Sequence, residues 1–189
     1  MRIIVLILLS PVLLLGWLLG LRRRDIAYLP EGHPDMAKAI AEARATLPEF
    51  RRLLASPEPG MANFGIKARF PVQGGSEHCW VGDLEMRGSG FFGKLTNHPQ
   101  SLHEMVLGSM VDITEDMITD WAYSKDGVYS GHFTTRVLLP RMSKRMRQQV
   151  ETIYGWSGDD GYRHNRHSKG ESATGRVILP LLNCRPWQG

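Results

Sequence analysis

The sequence predicts an α+β fold: an antiparallel β-sheet, flat or strongly curled, flanked by helices and preceded by one N-terminal transmembrane helix. Three observations carry the prediction. Residues 3–21 hold no charged side chain, residues 35–54 repeat apolar side chains at helical spacing, and short alternating runs divided by glycine begin at residue 63. Helical spacing returns near residue 143. Helix, then hairpin-linked strands, then helix is the order of an α+β domain on an antiparallel sheet.

Composition sets the outer limits. The chain of 189 residues supports one domain of ordinary size beside its ends. Its two cysteines, Cys79 and Cys184, allow at most one bridge, which excludes a disulfide-stapled miniprotein and a Cys-rich zinc site. A net charge of +4 suits an acidic partner or an anionic lipid surface and does not mark a nucleic-acid binder.

The run Ile3 to Leu21 is long enough, at 1.5 Å per residue, to cover roughly 28 Å, close to a bilayer's hydrocarbon thickness. It passes straight into Arg22-Arg23-Arg24 with no small-residue cleavage site, so an uncleaved anchor is expected rather than a signal peptide. Arg22, Arg23 and Arg24 outnumber Arg2 plus the terminal amine by one charge, which places the bulk of the chain on the cytoplasmic side of an inner membrane. That margin leaves the periplasmic side open. Residues 22–34 form a linker, broken by Pro30, Gly32 and Pro34.

A domain is expected over residues 35–154. Met36, Ile40, Leu47, Phe50 and Leu54 mark its first helix, which Pro48 should bend or split. Six strands follow, at about 64–70, 78–86, 91–95, 110–113, 118–125 and 128–139, and a second helix at 143–154. The tail, 155–189, is rich in Gly, Ser, His and Arg and reads as a loop. Within it, Gly175 to Pro180 echoes Thr135 to Pro140 and suggests a short edge strand.

Asp126-Gly127 is the strongest hairpin signal in the chain. A two-residue turn sets Lys125 against Val128 and Trp121 against His132. Strict alternation then gathers Trp121, Tyr123, His132, Thr134 and Arg136 on one face, able to receive a planar or anionic group. The structural alternative makes Trp121 and Tyr123 a core face beneath a helix. Asp120, on the other face, reads as a buried acid capping backbone amides. His78 and Trp80 share a face, whereas Glu77 and His78 cannot. His98 and His103 flank Pro99, and His164 and His167 lie in the tail, without a third ligand at metal spacing, so neither a metal nor a cofactor is expected. Phosphate loops, dinucleotide fingerprints, nucleophile elbows and paired-histidine zinc helices are all missing.

In order along the chain stand Lys67-Ala68-x-Phe70, Glu77-His78-x-Trp80-Val81, Gly93, Asn97-x-Pro99, Gly108, Ile118-Thr119-Asp120-Trp121 and Gly131-x-x-Thr134-x-Arg136. This set resembles the YegJ-like bacterial domain, a domain of unknown function (2314), over about residues 35–142. The resemblance places Asp120, Trp121, Thr134 and Arg136 in its recurrent motif and implies no chemistry.

Two classes of function follow. One is a membrane-tethered, non-catalytic binding module for a protein or small anionic ligand, of which an immunity or envelope-accessory role is one version. The other is a hydrolase-like enzyme with His132 or His78 as base, oriented by Asp120 or Glu77. The hairpin register separates Asp120 from His132 and weighs against that pair.

Overall fold

A computed structural model describes residue 29 and residues 32–156. The expected anchor at 3–21, nearly all of the linker and the tail beyond residue 156 lie outside the described residues. Among the described residues no helix is long and apolar enough to cross a membrane.

Helix α1 (Pro34–Ala45) opens with Pro34, whose fixed φ suits a first turn, and with His33 Nδ1 accepting the Asp35 amide at 3.3 Å. It stops at Thr46, and α2 (Leu47–Ala55) starts anew, carrying Pro48 in its first turn. Pro48 therefore splits the expected helix, because it has no N–H to continue the ladder. Thr46 Oγ1 closes the break by donating to the Glu42 carbonyl at 2.8 Å.

Six strands build one sheet: β1 (Met61–Val72), β2 (Gly75–Arg87), β3 (Gly90–Leu95), β4 (Met110–Ile113), β5 (Ile118–Lys125) and β6 (Val128–Gly131). Their order is β4-β3-β2-β1-β5-β6, and every neighbour pair is antiparallel. The Asp126-Gly127 turn has φ of 51° and 83°, as a two-residue hairpin requires, and sets Lys125 against Val128.

The sixth strand is shorter than expected. It ends at Gly131 rather than Leu139, and residues 133–138 form a helix, α3 (Phe133–Leu138). Gly131 (φ 79°) and His132 (φ 54°) both occupy the left-handed region, which takes the chain out of the sheet. Only glycine fits at 131, since a Cβ there would collide with the Trp121 carbonyl. Helix α4 (Lys144–Ile153) follows, capped by Ser143 Oγ accepting from the Met146 amide.

Both sheet faces are covered. Ala43, Leu47 and Phe50 from α1 and α2 press on Ile66, Ala68, Cys79, Val81, Phe91 and Trp121. On the opposite face Leu139, Met142, Val150, Tyr154 and Trp156 enclose Trp80, Ala122 and Tyr129. The last residues also finish the β6 edge: the Tyr129 amide donates to the Tyr154 carbonyl at 2.9 Å, and the Trp156 indole donates to the Tyr129 carbonyl at 2.8 Å.

Candidate functional site

Register decides which side chains meet on the second face. Lys67 on β1 lies opposite Trp80 on β2 and opposite Asp120 on β5, and Arg69 lies opposite His78. The pairing slips between Lys67 and Ala68, whose partners are Asp120 and Ile118, so Thr119 is the extra residue of a β-bulge. The bulge re-aims its hydroxyl. Thr119 Oγ1 lies 3.1 Å from His78 Nδ1 and 3.2 Å from the Lys67 carbonyl.

Asp120 is fully buried and saturated with donors. Its Oδ1 accepts from the amides of Trp121 (2.8 Å) and Phe133 (3.1 Å), and its Oδ2 from the amide (2.8 Å) and hydroxyl (2.6 Å) of Thr134. It thus caps the first turn of α3 and ties that helix to β5, the amide-capping role its setting predicts. Burial pushes its carboxyl up from the ordinary value, while Lys67 and the Thr134 and Trp121 donors pull it down. Lys67 Nζ donates to Thr134 Oγ1 at 3.2 Å, completing a Lys67–Thr134–Asp120 chain. Glu77, also fully buried, accepts the amides of Gln100 (2.6 Å) and Ser101 (2.8 Å) and pins the loop after β3.

His132 sits among four aromatic rings. Its ring centre lies 4.2 Å from that of Tyr154, 4.8 Å from Trp80, 5.5 Å from Tyr129 and 5.9 Å from Trp156. Among the described residues neither of its nitrogens, nor the Tyr129 hydroxyl, has a hydrogen-bond partner. Burial, with the charges of Arg136 and Lys67, pushes the imidazole down to about 3, so it is neutral at physiological pH. Arg136 is half-buried, donates from Nε to the Gly131 carbonyl at 3.0 Å, and lies 4.0 Å over the Trp156 ring.

The five residues gathered by strict alternation do not share a face. Trp121 is 6% exposed, stacks on Tyr123 (6.0 Å) and packs on Phe50 (5.3 Å), and its indole donates to the Ala43 carbonyl at 2.9 Å. Trp121 and Tyr123 therefore belong beneath the first two helices. His132, Thr134 and Arg136 lie with the second face, beside Lys67, Trp80 and Asp120. The left-handed pair Gly131-His132 causes the exchange, since alternation holds only while the chain stays extended. Neither orienting carboxylate of the hydrolase reading forms its pair with His132: Asp120 is spent on amides, Glu77 holds a loop, and His132 bonds to neither.

Sequence reasoning passed over Lys67, Thr119, Arg44 and Arg69 as site residues. The alternation of basic and apolar residues along β1 was the available signal for Lys67 and Arg69. The bulge that brings Thr119 forward leaves no local mark. Beside it, between α1 and β1–β5, lies a depression of about 340 Å³ lined by Ala37, Ile40, Ala41, Arg44, Arg69 and Thr119. Arg44 is held there by Nε–H to the Ile118 carbonyl and Nη2–H to the Asp116 carbonyl, both 2.8 Å. Among the described residues no group of three His, Cys, Asp or Glu side chains could hold a metal.

The profile of a family described as "Uncharacterized protein conserved in bacteria (DUF2314)" matches residues 33–157. The chain is 26% identical over 149 residues to a Neisseria meningitidis serogroup B protein named "Putative ankyrin repeat protein", covering 72% of this chain and 57% of the relative. It is 28% identical over 105 residues to "Uncharacterized protein YegJ" of Escherichia coli K12, covering 55% of this chain and 67% of that one. The chain thus spans little more than half the length of the Neisseria relative. No solved structure matches.

Proposed function

We propose that this chain, which belongs to the DUF2314 family of uncharacterised bacterial proteins, is a non-catalytic binding module tethered to the inner membrane on its cytoplasmic side. Its ligand is a small anionic group received in the depression between α1 and the β5 bulge. One observation carries the reading: Arg44 and Arg69 stand around a depression whose floor reaches the buried bulge residue Thr119. Two guanidinium groups match a carboxylate or phosphoryl group by charge and by fork geometry. Arg44 is oriented in advance by two carbonyls, which lowers the ordering cost of binding.

Support for binding over hydrolysis comes from the carboxylates. A general base needs an oxygen or nitrogen within reach of substrate, and Asp120 and Glu77 give theirs to backbone amides. In this reading the expected residues Thr134 and Arg136, with Lys67 and His132, hold the sheet and α3 in register behind the depression, and Trp121 and Tyr123 hold α1 over it. The run Ile3–Leu21 supplies the tether.

Calorimetric titration of the full chain in detergent with inorganic phosphate and with small dicarboxylates tests the reading. Saturable binding should weaken about tenfold or more in Arg69→Ala, with the unfolding temperature unchanged. Equal binding by the parent, Arg69→Ala and Arg44→Ala would refute it.

A further inference from the structure

We propose that the corner made by the start of α1, Arg141 and the outward side of α4 rests on an anionic lipid surface and fixes how the domain sits against its membrane. The proposal builds on the tethered reading above. Residues 141–147 carry Arg141, Lys144, Arg145 and Arg147 and no acidic residue. Along α4, Met146 and Val150 turn into the second core, which leaves Lys144, Arg145 and Gln148 exposed on the outward side.

Helix α1 joins the same corner, because Arg141 Nη2 meets Asp35 Oδ2 at 3.1 Å. Lys38 is exposed one turn further along α1. Arg141 is engaged with Asp35, and Arg147 Nε donates to the Leu139 carbonyl. Lys38, Lys144 and Arg145 make no hydrogen bond or ion pair among the described residues, so their charges are available.

Position and texture select the occupant. Residues 22–33 connect Leu21 to Pro34 and reach at most ~40 Å, so the chain that follows the apolar run enters the domain at this corner. A protein partner would need an apolar centre within the contact. Among the described residues the large exposed apolar side chains, Met86, Val106, Leu107, Met110 and Val128, all belong to other segments. A diffuse patch in which Lys38, Arg141, Lys144, Arg145 and Arg147 outnumber Asp35, beside a tether, suits lipid headgroups, whose attraction for each added Lys or Arg is about fivefold.

The test uses the full chain reconstituted in vesicles of phosphatidylcholine alone or mixed with phosphatidylglycerol. An amine-reactive probe is read at Lys38 and Lys144, with Lys94 on β3 as the internal reference. Labelling of Lys38 and Lys144 should fall at least fivefold on anionic vesicles and recover in high salt, while Lys94 stays constant. Equal labelling on both vesicles would overturn the proposal. Extraction in alkaline carbonate judges the tether separately, since release of the chain refutes the anchor alone. The released chain is then floated with the same vesicles. Flotation with anionic vesicles only, lost in Lys144→Glu/Arg145→Glu, upholds the lipid contact, and absence of flotation ends it.

Discussion

Thr134 Oγ1 stands between Lys67 and Asp120, accepting from the ammonium at 3.2 Å and donating to the carboxylate at 2.6 Å. The two charged residues are direct partners across β1 and β5, yet a hydroxyl from the following helix links them. The link joins three elements, β1, β5 and α3, at one buried point.

Removing that hydroxyl while keeping the shape should therefore be costly. Thr134→Val leaves Lys67 and Asp120 each short of a partner and should destabilise the domain by about 1–3 kcal/mol. Asp120→Asn should cost at least as much, because the amide group presents a donor to donors. Urea unfolding checks both, and a loss below about 0.5 kcal/mol for Thr134→Val would show the link to be idle.

Acid stability should be governed by His132. Its folded-state value, about 3, lies below the ordinary 6.5, so the unfolded chain takes up a proton that the folded chain refuses. The resulting stability is complete above pH 6.5 and is lost as pH falls from there toward 3. The full loss is on the order of 5 kcal/mol. Asp120, pushed up by burial, acts in the opposite sense, gaining stability toward acid. Comparison with His132→Asn, a residue that tolerates the left-handed backbone, isolates the imidazole: its urea midpoint should vary less between pH 7 and 4 than the parent's. Parallel profiles would contradict the assignment.

Two glycines with nearly the same φ should respond very differently. At Gly127 (φ 83°) a Cβ meets nothing within 4 Å, so Gly127→Ala should cost only about 1 kcal/mol of backbone strain. At Gly131 (φ 79°) the added Cβ strikes the Trp121 carbonyl and indole, so Gly131→Ala should cost about 3 kcal/mol or more. Thermal unfolding of the pair gives the answer, and similar losses would mean that the chain exit from β6 can shift freely.

Glu77→Gln should loosen one loop without disturbing the sheet. The substitution keeps one acceptor oxygen and sets an NH₂ against an amide N–H, leaving Gln100 or Ser101 unsatisfied. Hydrogen exchange at these two amides should rise at least tenfold, with β1 and β2 unchanged. Unaltered exchange at both would remove the pinning role.

Much of the fold is legible in the sequence because its punctuation is local. Pro48 splits a helix, Asp126-Gly127 turns a hairpin, and Ser143 starts α4, each through chemistry confined to a few residues. The site is less legible because two features change faces without a strong local sign. Val128 to Leu139 is β-branched and aromatic enough to read as one strand, and only the carboxylate of Asp120, eleven positions before Gly131, captures the Phe133 and Thr134 amides and makes the second half helical. The Thr119 bulge likewise depends on pairing with β1. Both features fall at positions where the period of two breaks, and the left-handed pair Gly131-His132 carries the side chains after it to the opposite face.

The Tyr129 backbone, bonded to Tyr154 and Trp156, has a consequence for self-association. A sheet rim with unpaired amides is a template for another strand, and at β6 that template is already occupied at its centre. Among the described residues the opposite rim of the sheet is β4, four residues interrupted by Asp112. Loss of the Trp156 indole would free the Tyr129 carbonyl and leave the Tyr154 backbone bond alone to guard that border against a second copy.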